Sequence, residues 1–330
     1  MTLNITVFTP ANIVQISDRR MVDARTGRVI DDEANKALVL HCADGVLAVT
    51  FAGIGRVGNL RTDLWLAESL QDAGAAELDC RWACNHIAEA ATGWFRTFPS
   101  GLDKRHTFVI AGWCDGKDRV VSRCWTISNL PHNMWTNSME TLDQFLVRPV
   151  TTSSRVGSVF VTGLLDSLNR RERKRLFTSL KQRTTIEAIE SWGVEAIRRA
   201  SADPASHGGI GEKCTAIALS PAREVRSLYY GTDGVPATYG PNLLWYYGGS
   251  NWLVTDIGSL PDGNFALGFG GGPTPVKLVV SSIDRWAVPS PLPAIQTIAW
   301  KHRITDARHR NEDKMESAPL LILMPRNSTQ

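Results

Sequence analysis

The hydrophobic pattern of this chain switches between a period of two and a period of 3.6 residues, and the order of the switches limits the folds open to it. Short β-branched runs come first. Asn4 to Phe8 and Asn12 to Ile16 flank Thr9-Pro10; Ala37 to His41 and Val46 to Phe51 flank Ala43-Asp44-Gly45. The Asp-Gly pair is a hairpin signal. Leu60, Leu64, Ala67 and Leu70 then recur at helical spacing with Thr62-Asp63 at the start, and Ile87, Ala88, Ala91, Trp94 and Phe95 mark a second helix. After Pro99-Ser100-Gly101, strands return at His106 to Gly112 and Arg119 to Ile127, and residues 139–148 predict a brief helix. Glu172 to Gln182 and Thr185 to Ala200 predict two more helices, the latter with Ile186, Ile189, Gly193 and Ile197 along one face. Lys213 to Leu219 predicts a strand. This order suits an α+β sandwich in which helix pairs cover two stacked sheets.

After Pro221 helical patterning stops, and Gly, Pro, Tyr and Trp become dense. Leu244 to Gly249, Phe265 to Gly272 and Val276 to Ile283 predict short strands and tight turns. The chain of 330 residues is long enough for about two domains. The expected division is residues 2–221 and a β-rich extension, residues 222–330. An apolar pentad, Leu320 to Met324, predicts a terminal strand docking on its own domain or on a neighbouring subunit.

Several functions are disfavoured by composition. The net charge of +3 is too near neutral for a nucleic-acid binder with a concentrated basic face. The densest basic stretch, Arg170 to Arg175, is broken by Glu172 and reads as a solvated helix face rather than an RNA or acidic-partner contact. No apolar run approaches the roughly 20 residues of a membrane span. The opening Met-Thr-Leu-Asn lacks a secretory pattern, so a cytoplasmic protein is expected. Six cysteines show no C-x-x-C spacing. Cys80, Cys84 and His86 could form half a metal site but have no second pair at finger spacing, so buried reduced thiols are expected and neither metal nor cofactor is. Gly270-Gly271-Gly272-Pro273 lacks the Lys and Ser/Thr of a phosphate-binding loop and reads as a turn, and His207 before Gly208-Gly209 reads as turn chemistry.

Chemistry points to the amino terminus. Thr2 becomes the first residue if Met1 is removed, as expected for so small a second residue. A free N-terminal threonine carries nucleophile and base together, because its α-amine can accept the hydroxyl proton. That amine has an unperturbed pKa of about 7.7–8.0. A lysine nearby would hold it down by like-charge repulsion. A carboxylate would orient the lysine, and a backbone N–H must face the developing oxyanion.

The spacing of such residues resembles that of the β-type subunits of the proteasome and their bacterial relatives, members of the N-terminal-nucleophile (Ntn) hydrolases, over about residues 2–220. Asp18 follows Thr2 by sixteen residues, the family's interval, and Arg20 follows in Ile16-Ser17-Asp18-Arg19-Arg20. Lys36 opens the apolar run Ala37-Leu38-Val39-Leu40, after about two extra loop residues. Ala52-Gly53 ends a strand before a long helix, and Ala111-Gly112-Trp113-Cys114-Asp115 fits the family's Gly-Trp-Asp-like turn. Asp203-Pro204-Ala205-Ser206-His207-Gly208-Gly209 fits its Asp-x-x-Ser-Gly-Gly loop, with His207 as an insertion.

The resemblance implies a four-layer αββα sandwich, the Ntn-hydrolase fold, carrying the β-rich extension as an addition. It implies Thr2 as nucleophile and base, Lys36 as the group that tunes the amine, Asp18 as its orienter and Gly53 as oxyanion donor. Asp203 and Ser206 would hydrogen-bond the amine, and Met21 and Phe51 would line the first substrate pocket, leaving room for a small side chain. The structural alternatives are a strand-fixing ion pair for Asp18 and Lys36, and a positive-φ turn for Gly53. The family's serine before the third helix has no clear match; Thr162 or Leu164 stands nearest. No propeptide precedes Thr2, so only an aminopeptidase would be needed. The implied function is a threonine-type amidohydrolase, most simply a peptidase, acting within a homo-oligomeric ring, with any ATPase partner unspecified. A non-peptide amidase and a non-catalytic assembly or binding subunit are the alternatives.

Overall fold

The computed structural model describes residues 2–34, 36–73, 78–131, 140–151, 157–163, 178 and 185–233, and short segments between 236 and 280. Contacts divide the chain into two compact units, Met1–Gly258 with Leu267–Leu278, and Ser259–Ala266 with Val279–Gln330. All the residues of interest below lie in the first.

One sheet runs in the order β12 (Ser158–Gly163), β1 (Leu3–Phe8), β2 (Ile13–Asp18), β13 (Cys214–Leu219), β14 (Val225–Tyr230) and β15 (Pro236–Ala237), every neighbour antiparallel. A second runs β11 (Leu146–Pro149), β10 (Val120–Ser128), β9 (Thr107–Asp115), β6 (Gly45–Ala52), β5 (Ala37–Cys42), β16 (Leu243–Tyr247), β17 (Asn251–Thr255) and β19 (Phe265–Gly271). Further short strands are β18 (Gly258–Ser259) and β20 (Val276–Val280). Its neighbours are antiparallel except β16, which runs parallel to β5 with Leu244 to Tyr246 opposite Leu38 to Leu40. Two small ribbons stand apart: β3 (Met21–Val22) with β4 (Val29–Asp31), and β7 (Arg56–Val57) with β8 (Leu60–Arg61).

The alternation of period two decides which face each strand buries. Leu3, Ile5, Val7, Val14 and Ile16 share a core with Ile189, Val194 and Ile197 of α3 (Ile186–Ala202). Leu38, Leu40, Leu47, Val49 and Phe108 share another with α1 (Thr62–Asp72) and α2 (Cys80–Arg96). Two side-chain hydrogen bonds join the sheets across their other faces, among buried apolar residues such as Val46 and Ala48. Gln15 Nε2 donates to Val109 O (3.3 Å), and Trp113 Nε1 donates to Leu219 O (3.0 Å). The helices start on side-chain caps, Asp79 for α2 and Thr185 for α3. Gly193 lets α3 come close to β2, since a Cβ there would fall 2.1 Å from Ile16 Cδ1.

Several expectations change. Residues 146–149 form the edge strand β11 rather than part of a helix, as suits Val147 and a Pro149 that has no N–H to donate. Leu60 lies in β8, and the helix begins only at Thr62. Gly270 and Gly271 close β19 and are strand, not turn. The expected helix over 172–182, the basic run Arg170 to Arg175 and the pentad Leu320 to Met324 fall outside the described residues, apart from Thr178.

Candidate active site

Thr2 enters β1 with only 4% of its surface exposed. The register of β1 on β2 pairs Asn4 with Ser17, which brings Asp18, the last residue of β2, beside the start of the chain. Asp18 Oδ2 accepts the Leu3 N–H at 3.0 Å. Its Oδ1 accepts from Lys36 Nζ (2.9 Å), from the Arg20 N–H (3.1 Å) and from the Gly211 N–H (3.2 Å). Lys36, just before β5, reaches in from the other sheet and donates also to Thr2 Oγ1 at 2.9 Å. The Lys36 and Asp18 side chains are 2% and 0% exposed. Burial pushes the Lys36 ammonium below its ordinary pKa; Asp18 opposes this, while the Arg20 and Arg19 charges add to it. A buried lysine whose proton is held less firmly, touching a hydroxyl oxygen, is suited to tuning that oxygen and a nearby amine.

Neighbouring groups fix this chain of three. Arg19, 1% exposed, donates to Thr215 Oγ1 (2.6 Å) and to the Glu33 carbonyl (2.7 Å). Arg20 pairs with Asp32 at 2.5 Å and donates to the carbonyls of Gly208 (3.0 Å) and Ile210 (3.4 Å). It thereby holds the loop that supplies the Gly211 N–H to Asp18.

Gly53 directly follows β6 with φ +123°, a conformation that favours glycine. A Cβ there would meet Arg105 O at 2.4 Å and His106 Nδ1 at 2.7 Å. Phe51 is buried and, with Lys36, Ala37, Leu38, Val49, Asp63 and Leu66, lines a cavity of about 10 Å³. That is close to the minimum for one water. Met21 is buried but is not among the lining residues; its Cγ would stand 2.9 Å from a Cβ at Gly55.

Asp203 and Ser206 bond elsewhere than to Thr2. Asp203 is exposed, ends α3 and accepts the Ala205 N–H at 2.9 Å to start a 3-10 turn, Pro204–Ser206. Ser206 is buried; its Oγ donates to Ser201 O (3.4 Å) and accepts the Gly208 N–H (3.3 Å). His207 closes the turn in the left-handed region at φ 48°. Leu164 lies outside the described residues, and Thr162 pairs with Asn4.

Gly163 is a contact that sequence reasoning missed. It ends β12 opposite Leu3 with φ +95°, and a Cβ on it would fall 1.7 Å from the Thr2 carbonyl oxygen. Only a glycine lets β12 close over Thr2. The one sequence signal is a glycine at the end of an apolar run.

Among the described residues no group of three or more His, Cys, Asp or Glu is placed to hold a metal. The six cysteines are free and buried, and burial raises the pKa of the Cys84, Cys124 and Cys214 thiols. No helix among the described residues is long and apolar enough to cross a membrane.

No family model and no curated protein matches the chain. Solved structures do. A Gly-1 mutant of Anbu from Hyphomicrobium sp. strain MC1 aligns over 71% of this chain and 89% of its own, at 13% identity and a TM-score of 0.46. Anbu (ancestral beta-subunit) from Yersinia bercovieri aligns over 71% and 88%, at 13% and 0.47. A helical assembly of the Anbu complex from Pseudomonas aeruginosa aligns over 94% and 98%, at 13% and 0.46. At these values the likeness is loose, and the case for the site is its own geometry.

Proposed function

We propose that this chain is a threonine-type N-terminal-nucleophile amidohydrolase, most simply a peptidase, built on a four-layer αββα sandwich. The observation that carries the proposal is the buried line Thr2 Oγ1–Lys36 Nζ–Asp18, with both separations at 2.9 Å. A strand-fixing ion pair needs only Lys36 and Asp18. It does not need the lysine to spend a second donor on a hydroxyl at the head of the chain.

With Met1 removed, the Thr2 α-amine takes the hydroxyl proton as Oγ1 attacks the amide carbonyl. The Gly53 N–H receives the oxyanion. The amine then passes the proton to the leaving nitrogen, the C–N bond breaks and an ester to Thr2 results. Water attacks that ester by the same route, releasing the acid and restoring the hydroxyl. Lys36 donates to Oγ1 throughout, and its charge keeps the amine unprotonated. Asp18 holds Lys36. Asp203 and Ser206 support the site through the turn that precedes the Gly211 donor. Phe51 bounds the first pocket and favours small side chains there; Met21, which does not line the cavity beside Lys36, stands against Gly55.

The functional division we infer is residues 2–221, which supply every side chain of this site, and the extension 222–330. We further propose a homo-oligomer, and a cytoplasmic setting in keeping with six free thiols. The test is covalent labelling with a peptide β-lactone, which threonine opens to an ester. The adduct is expected on the peptide that begins with Thr2 and is expected to vanish in Thr2→Ala. Labelling that survives the substitution would rule the mechanism out.

A further inference from the structure

The wall behind Gly53 contains a histidine that this mechanism does not use. His106 precedes β9 and stands across from Gly53, one step past the Ala52–Thr107 pair of the β6–β9 ladder. Its side chain is wholly buried. Phe108 and Phe95 lie at ring-centroid distances of 4.5 and 4.9 Å, and Phe51 stacks at 5.6 Å. Neither ring nitrogen has a hydrogen-bond partner among the described residues. Leaving a buried polar atom unmatched is destabilising. A phenylalanine would fill the same aromatic nest without that cost. Burial lowers the imidazole pKa to about 3, so the ring is neutral near pH 7 and one nitrogen is bare.

The contact that separates histidine from phenylalanine is with Gly53. A Cβ on Gly53 would fall 2.4 Å from Arg105 O, 2.7 Å from His106 Nδ1 and 2.9 Å from the His106 Cα. The α-hydrogen that takes this direction therefore lies against both the Arg105 carbonyl oxygen and Nδ1. A bare ring nitrogen accepts a C–H at close range as a weak hydrogen bond. A phenylalanine C–H in that place would set hydrogen against hydrogen. The wall is also held from behind. Asn129 Oδ1 accepts the His106 N–H (2.9 Å), and Asn129 Nδ2 donates to Lys104 O (2.8 Å). Lys104 Nζ donates to the carbonyls of Phe95 (3.2 Å) and Phe98 (2.7 Å) at the end of α2.

We propose that His106 is a positioning residue for Gly53, its bare Nδ1 edge letting the glycine backbone seat at the depth where its N–H serves the oxyanion. This rests on the roles given above to Thr2 and Gly53. The oxyanion forms on the way to the transition state, so a mis-seated donor slows acylation and leaves reagent binding alone.

The test follows acylation of Thr2 by the peptide β-lactone in the full-length protein at varied reagent concentration. In His106→Phe the maximum rate is expected to fall on the order of 10²-fold, the loss typical of a small misplacement. The half-saturating concentration should stay unchanged and the thermal midpoint should be equal or higher. An unchanged maximum rate in a folded variant overturns the proposal. So does a loss that appears only in half-saturation. Histidine ¹⁵N NMR of the unsubstituted protein adds a readout free of any folding defect. Nδ1 should be unprotonated from about pH 5 to about 8, and a protonated Nδ1 overturns the proposal. If Thr2 in the unsubstituted protein takes no adduct, the functional reading itself fails, whatever His106 does.

Discussion

Lys36 is where a single side chain carries most of the consequence. It is 2% exposed, and its partner Asp18 is 0% exposed. Lys36→Met leaves a buried carboxylate without its cation, which is expected to cost about 3–5 kcal/mol. Urea denaturation measures that loss, and the Thr2 labelling should disappear with it. A variant as stable as the parent would mean that Asp18 does not depend on Lys36. The trio was legible in the sequence because spacing and residue type suffice to suggest it. Gly163 and His106 were not. Their roles come from contacts between segments far apart in the chain, with β12 folding over β1 and β9 pairing with β6. Asp203 was read as an amine partner, but its carboxylate caps a turn, a local bond that aspartate makes readily.

At the scale of elements, α3 is fixed to β14 through Glu190. This side chain is wholly buried; it accepts from Arg226 Nη2 (3.0 Å) and from the Tyr230 hydroxyl (3.3 Å). Burial raises its pKa from 4.5 to about 7, against the pull of Arg226 and the Tyr230 hydrogen bond, with Glu187 adding to the rise. A raised carboxyl pKa means the folded state holds the proton more tightly than the unfolded chain does. The contribution is therefore fully present below about pH 4.5 and is lost as pH rises through about 7, amounting to about 3 kcal/mol. Glu190→Gln should gain on the parent by roughly that amount between those limits, measured by denaturation at each pH. A difference that stays constant with pH would show that Glu190 does not titrate in this window. Of the eight described strands of six or more residues up to Leu219, seven were legible from alternation and β12 was not. The ribbons β3–β4 and β7–β8 were not, because two or three residues are too few to show a period.

At the scale of the molecule, strands among the described residues between 222 and 280 were legible, and their partners were not. Sheet register is a relation between distant segments, and composition does not encode it. β14 pairs with β13 along its whole length, and Leu228 and Tyr230 belong to the core beneath α3. A chain cut after 221 should therefore lose the cooperative unfolding transition of the full chain. Calorimetry of the truncated and full chains makes the comparison. A cut at 221 that folds as firmly as the full chain would show β14 to be dispensable to the core.

All of this chemistry requires the Thr2 amine to be free. The measurement that bears on it most directly is the intact mass of the untagged protein. A mass one methionine residue below that of the full sequence is expected, leaving Thr2 at the head of the chain beside Lys36. A mass that retains Met1 would leave the amine in a peptide bond, without the base the mechanism requires, and would contradict the assignment of Thr2 as the nucleophile.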